Sequence, residues 1–249
     1  MERIEINGLA VSKRKELNEN SFSPIDVFAL ISSMPNTSLV FYAMPKNISG
    51  LCIKDGENVV IAINSDTSLG RQRFTAAHEL YHVWFNDDLT TTICDMSLNE
   101  DNRAEENDAD NFASYFLMPY EALREYAKTK KINEWMLENV IECEQFFKLS
   151  HEAMLSRLSI DKQIRFEDKD KYRVEEISSE AEKLGFTIEL YSRSPEKNKY
   201  FAVGDYIRKV ELLAKSGKIS DGKKNELLMD GFRADMVYGI EDEGIVNND

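Results

Sequence analysis

The pentapeptide His78-Glu79-Leu80-Tyr81-His82 constrains this chain more than any other feature, because it lies inside a stretch of helical periodicity. From about Leu69 to Phe85, the apolar residues Phe74, Ala77, Tyr81, Trp84 and Phe85 recur on one stripe, which predicts a helix packed against a core. Histidines at i and i+4 stand one turn apart on the same face, so both imidazoles can reach a single divalent ion at about 2.0–2.1 Å. Glu79 projects to the edge of that face, where a carboxylate can take a proton from a water held by the ion. The competing reading is an exposed helix carrying two incidental histidines. Against it, the chain has 3 histidines in all, two of them at this spacing, and the apolar stripe buries the helix.

Zinc needs a third protein ligand and an open fourth position. A second helix is predicted after a polar loop at 86–102, with Ala109, Phe112, Ala113, Phe116 and Leu117 on its buried face and Pro119 at its end. It offers Glu105, Glu106, Asp108 and Asp110. With residues about 100° apart around the axis, Glu106 falls on the buried face and is the best ligand candidate, with Glu105 second. Asp108 points away, and for both Asp108 and Glu105 solvated surface charge is the favoured reading. Asp110, one turn after Glu106, is placed to accept a hydrogen bond from a ligating histidine.

Ahead of the motif, Ser23-Pro24 reads as the start of a short helix running to about Ser33. Strands are predicted at 39–44, 48–54 and 58–64, the last two joined by a hairpin at Asp55-Gly56-Glu57-Asn58. After the second helix, 132–158 is helical, with Ser150 as an N-cap and a helix-turn-helix-like core over 146–158. A charged linker or corner at 160–172 follows, then a helix at 174–184, a strand at 187–191, and helices at 203–215 and 220–238 separated by Ser216-Gly217-Lys218. The class is therefore α+β: a small, mostly antiparallel sheet on the histidine helix and its ligand-bearing partner, followed by a mainly helical C-terminal region.

Formal net charge is −14 and the pI about 4.8, which argues against a duplex-binding surface and fits solubility or a basic protein partner. A DNA-binding regulator would have to use the 146–158 segment, whose only groove or phosphate contacts are Lys148, His151 and Arg157; a packing role is the better reading. Cys52, Cys94 and Cys143 are odd in number and far apart, so they suit a reducing compartment and buried thiols. With no apolar run of 18 residues and no signal-peptide pattern at the N-terminus, the expected location is the cytoplasm, without membrane contact.

The run Arg71-Gln72-Arg73-Phe74-Thr75-Ala76-Ala77-His78-Glu79-Leu80-Tyr81-His82, the run Glu106-Asn107-Asp108-Ala109-Asp110-Asn111-Phe112-Ala113 and Leu117-Met118-Pro119 together resemble the ImmA/IrrE metallopeptidases. That family reads RFTxAHELxH, then ExxANxFAxxLLMP. Ile48-Ser49-Gly50, Ile63-Asn64-Ser65, Leu149-Ser150, Ala153 and Arg157-Leu158 are similar to it as well, and the resemblance spans about 40–160. It departs at Asp110 (commonly Asn), at Phe116-Leu117 (a Leu pair) and at Tyr81 (often Gly). The resemblance implies a Zn²⁺-dependent endopeptidase with ligands His78, His82 and Glu106 and general base Glu79. Its substrate would be a helix-turn-helix repressor or antitoxin encoded nearby, on a mobile element or in a stress-response locus. For a further donor to the developing oxyanion the chain offers Tyr115, Tyr120 and His151, each with a structural or exposed role as the favoured reading. The domains so implied are a zincin-like metallopeptidase domain at 1–128 with a helical lead-in, a helix-turn-helix-like segment at 129–165, and an accessory region at 166–249. The rival is a non-catalytic, metal-stapled partner-binding protein of a toxin–antitoxin pair.

Overall fold

The computed structural model describes residues 1–86, 91–95 and 103–239. Strands β1 (Thr37–Tyr42), β2 (Ile48–Asp55), β3 (Asn58–Asn64), β4 (Thr91–Asp95) and β5 (Phe201–Gly204) form one sheet in the order β4-β2-β3-β1-β5. β1 and β3 are parallel and every other neighbouring pair is antiparallel, so the expected α+β class holds. The β2–β3 hairpin closes where expected, with Asp55 opposite Asn58 and Gly56 at φ +58°. Buried Asn64 fastens the β1–β2 connection: its amide donates to Met44 O at 3.2 Å and Ile48 O at 2.7 Å, and its oxygen accepts from Met44 N at 3.1 Å.

Both outer strands differ from the expectation. β4 lies within the predicted polar loop; the five residues Thr91-Thr92-Ile93-Cys94-Asp95 become a strand by pairing with β2, a non-local cause invisible to periodicity. β5 precedes its helix, taking residues 201–204 onto the free edge of β1. The predicted strand at 187–191 is instead a 3₁₀ turn at Glu189–Tyr191.

The helices before the sheet are α1 (Arg3–Glu16) and α2 (Val27–Ser33). α1 went unpredicted because its inward positions are Ile6, Ala10 and a buried charge, Arg14. α2 starts three residues after Pro24 because Asp26 is the cap, accepting from Ala29 N at 3.2 Å. The histidine helix α3 spans Leu69–Phe85 as predicted, capped by Ser68. Next come α4 (Arg103–Leu117), α5 (Tyr120–Thr129), α6 (Leu137–Phe147) and α7 (His151–Ile160). Pro119 ends α4 and also starts α5, which the sequence reading left out. The helical stretch predicted at 132–158 is the α6–α7 pair, which parts at Lys148 with φ +58° and restarts at Ser150, the expected cap of its last piece. Short helices α8 (Lys169–Tyr172) and α9 (Ile177–Lys183) precede α10 (Asp205–Lys215), α11 (Asp221–Asp230) and α12 (Ala234–Tyr238), the last two divided at Gly231-Phe232.

One core runs from Ile6 to Ile164, and α3 is its axis, buried nearly all round between the sheet and α4. Gly70 permits the tightest contact: a Cβ there would stand 2.7 Å from Ser150 N, so the start of α3 rests on the α6–α7 turn. That turn therefore has a packing role. Arg157 is buried, and His151 has both ring nitrogens engaged, Nδ1 with Glu144 at 2.8 Å and Nε2 with Tyr172 O at 2.8 Å. The C-terminal helices carry a small cluster of their own, Ile207, Val210 and Leu228, and join the rest through β5 and through Arg208, which donates to Ser32 O at 2.6 Å and Met34 O at 3.0 Å.

Burial alone would depress the His151 pKa, but the hydrogen bond and charge of Glu144 outweigh it and hold the imidazole above its ordinary value. Glu144 is also raised, by burial first. Each group binds its proton more tightly folded than unfolded, so its contribution is present at low pH and lost as pH rises. For His151 the loss begins near the ordinary value of about 6.5 and continues through the raised folded value. The melting temperature is expected to fall across that window, and Glu144→Gln/His151→Gln to flatten the slope. Equal slopes for parent and double variant would clear the pair of responsibility.

Candidate metal centre

α3 and α4 lie side by side, and their facing sides bring together the acids and imidazoles singled out above. His78 Nε2 is 3.1 Å from Glu106 Oε2, His82 Nε2 is 3.6 Å from Glu106 Oε1, and the two Nε2 atoms are 3.1 Å apart. All three side chains are buried, and among the described residues His78, His82 and Glu106 are the group able to hold a metal ion. Donors at about 2.0–2.1 Å in a tetrahedral set stand about 3.3 Å from each other, which these separations bracket. Two imidazole nitrogens and a carboxylate are also a zinc-type donor set. The residues fit a divalent ion.

Electrostatics prepares the rings. Burial, and then the charge of His78, lower the His82 pKa, which keeps that ring neutral at neutral pH with a lone pair available. His78 Nδ1 lies 2.9 Å from Asp110 Oδ1, which sets its outer nitrogen as the protonated one. Asp108 does not face the site; it pairs with the N-terminal amine at 3.1 Å and ties α1 to α4.

Glu105 departs from the reading as free surface charge. Its Oε1 accepts a hydrogen bond from the Asn86 amide and lies 3.7 Å from His82 Nδ1. Asn86 Nδ2 is 3.2 Å from that same ring nitrogen. Sequence reasoning passed over Asn86, although a signal was there: it is four residues after His82, one more turn along the same face.

Glu79 is fully buried beside the cluster, on the side of α3 that meets β2. A Cβ on Gly50 would stand 2.6 Å from Thr75 Cγ2 and 3.1 Å from Glu79 Oε1, so only glycine lets this helix and its carboxylate lie so close to the strand. Tyr115 packs its ring beneath Arg157 at 4.0 Å, and His151 is committed to Glu144 and Tyr172, so neither is turned toward the ligand cluster. Cys52 and Cys143 are buried thiols; burial pushes Cys52 up to about 12. The Cys94 side chain lies outside the described residues. A cavity of about 1200 Å³ bounded by Phe41, Gln72, Arg193, Phe201 and Phe232 shares no lining residue with the metal cluster.

Residues 38–159 match the profile of the peptidase M78 family, described as the IrrE N-terminal-like domain. This segment is an IrrE N-terminal-like domain. Its bounds take in β1 at one end and α7 at the other, and with them all of His78, Glu79, His82, Glu106 and Asp110. The family is one of metallopeptidases, and the matched segment contains the His78, His82 and Glu106 group that could hold a metal ion. The comparison with curated proteins gave no match. Among solved structures, a Mycobacterium tuberculosis transcriptional regulator is similar at 17% identity and a TM-score of 0.43; the match covers 62% of this chain and 46% of that one. This chain thus corresponds to under half the length of that regulator. Among the described residues, no helix is long and apolar enough to cross a membrane.

Proposed function

We propose that this protein is a zinc-dependent endopeptidase of the cytoplasm that hydrolyses a peptide bond in a partner protein, a helix-turn-helix repressor or antitoxin. The observation that carries the reading is the convergence of His78 Nε2, His82 Nε2 and a Glu106 carboxylate oxygen on one point, with the non-ligating Glu79 buried beside it. Three protein donors leave a coordination position for water, the arrangement of a catalytic rather than a structural site.

A zinc ion held there would supply Lewis acidity, polarising the scissile carbonyl and lowering the pKa of its bound water toward neutrality. The chain's own residues do the rest. His78 and Asp110 form a hydrogen-bonded pair that keeps one ligand ring oriented. Glu79, walled in by β2 and Thr75, accepts the proton from the attacking water and returns it to the leaving amine. Its burial fixes the carboxylate in place, so little reorganisation accompanies the transfer. Support for the partner class comes from the family resemblance and from the net charge of −14, which suits a basic DNA-binding substrate.

The test has two arms. Purified parent is expected to contain about one zinc per chain, and Glu106→Ala to lose it in dialysis that leaves the parent loaded. Parent loaded with zinc should cleave the helix-turn-helix product of a neighbouring gene at one position, and a chelator should stop it. Equal metal content in the parent and Glu106→Ala would refute the ligand assignment. An intact partner despite bound zinc would refute the substrate.

A further inference from the structure

We propose that Asn86 and Glu105 are a positioning pair that holds the His82 ring in its metal-binding tautomer, doing for His82 what Asp110 does for His78. The inference rests on the metal-site reading above. The two Nε2 atoms face each other across 3.1 Å, so when Nε2 serves as the donor to an ion the outer Nδ1 of each ring carries the proton. A ring whose outer N–H lacks an acceptor is free to rotate or to change tautomer, and either change weakens the ligand.

For His78 the acceptor is Asp110, at 2.9 Å. For His82 the neighbours of Nδ1 are the Asn86 carboxamide at 3.2 Å and Glu105 Oε1 at 3.7 Å, and the two are hydrogen-bonded to each other. The same amide nitrogen of Asn86 donates to Glu105 Oε1, and so holds that carboxylate beside the ring, where it is the acceptor facing Nδ1–H at 3.7 Å. Asn86 thus orients the carboxylate and Glu105 faces the ring nitrogen, so the two act as a pair.

The backbone fixes the pair where the two helices meet. Asn86 is the C-cap of α3, its N–H bonded to His82 O at 3.1 Å, and Glu105 immediately precedes Glu106 on α4. α4 thereby presents three acids to α3: Glu106 between the rings, Asp110 outside one and Glu105 outside the other. Neither Asn86 nor Glu105 needs to touch substrate, so both act through His82 alone.

The test uses the full chain, with Zn²⁺ affinity measured by competition against a chromogenic chelator. Long-range ¹H–¹⁵N spectra of the imidazoles report the Nδ1–H of His82. Asn86→Ala and Glu105→Ala should each weaken zinc binding about 10–100-fold and broaden or shift that resonance. The double alanine variant should be within a few-fold of the weaker single variant, because the two residues act as one unit. Asn86→Asp/Glu105→Gln keeps a carboxylate and an amide in contact with their order reversed, and should bind within a few-fold of the parent. Asn107→Ala, exposed on the same helix, provides the background.

Alanine variants that melt like the parent and bind zinc as tightly would overturn the proposal. Where an alanine variant does not fold, the exchanged pair decides: affinity near the parental value supports the proposal, and a folded protein weakened 10-fold or more overturns it. A parent without zinc affinity, or a Glu106→Ala variant that binds normally, removes the metal-site reading and this inference together. Parental binding and cleavage with unaffected alanine variants remove this inference alone.

Discussion

Glu79→Gln is expected to lower kcat/KM for cleavage by about 10²–10⁴-fold while zinc content stays at the parental level. The amide is nearly isosteric with the carboxylate, so packing against Thr75 and the Gly50 backbone is kept. Glu79 is not among the three converging donors, so the ligand cluster is untouched. What is lost is an acceptor for the proton of water, and a positioned general base is worth about 3–5 kcal/mol of barrier. The result also discriminates between functions. A non-catalytic, metal-stapled binding protein would give zinc-loaded parent and variant that bind a partner alike and cut nothing. Cleavage by Glu79→Gln at the parental rate would show that the proton goes elsewhere.

The second large effect is on stability. Arg157→Met should destabilise the fold by about 3–5 kcal/mol, a large part of the 5–15 kcal/mol available to a typical domain. Arg157 is buried on α7 and reaches the C-terminal end of α4, donating to Ser114 O at 3.0 Å and Met118 O at 2.6 Å. Its Nε pairs with buried Asp161 at 2.8 Å. The last carbonyls of a helix have no partner within the helix, and this guanidinium supplies one. Arg14 approaches the same helix end from α1, donating to Phe116 O at 2.7 Å. Methionine fills much of the volume but takes the side-chain donor from Met118 O and leaves Asp161 buried without its cation. Urea unfolding is the measurement, with Arg157→Met/Asp161→Leu recovering part of the loss because it no longer strands a buried carboxylate. A change under 1 kcal/mol would mean that α4 ends satisfactorily without the arginine. Because α4 carries Glu106 and Asp110, zinc affinity of the folded fraction reports whether the helix end also sets the site.

α3 and the ligand candidates were the most legible parts of the chain, for a local reason. The helix between Leu69 and Phe85 announces itself by period, and the acids on α4 could be ranked by rotation about an axis, a calculation that needs no partner helix. The same logic placed Glu106 inward and Asp110 one turn on. It failed for Glu105, because a margin residue is classed as solvated until something across the gap, here Asn86, is known to meet it. It failed for α1, whose inward face includes a charge, Arg14, met by the carbonyls of Asn20 and Ser23 and, about a hundred residues on, of Phe116. β4 and β5 are strands by pairing rather than by pattern, and the turn at 189–191 shows the reverse, a β-like pattern with no strand to receive it.

Sequence alone determined what depends on neighbours along the chain: the histidine helix, the β2–β3 hairpin, the Ser150 cap and the identity of the side chains that can bind a metal or carry a proton. Tertiary structure decided what depends on distance through space. It brought Glu106 to within 3.6 Å of both rings, set Asp110 and the Asn86–Glu105 pair on their outer nitrogens, closed the sheet with a strand from residues 201–204, and capped α4 with arginines from α1 and α7. Periodicity records which face of an element is buried, whereas the partner that buries it is chosen by packing of segments far apart in the chain.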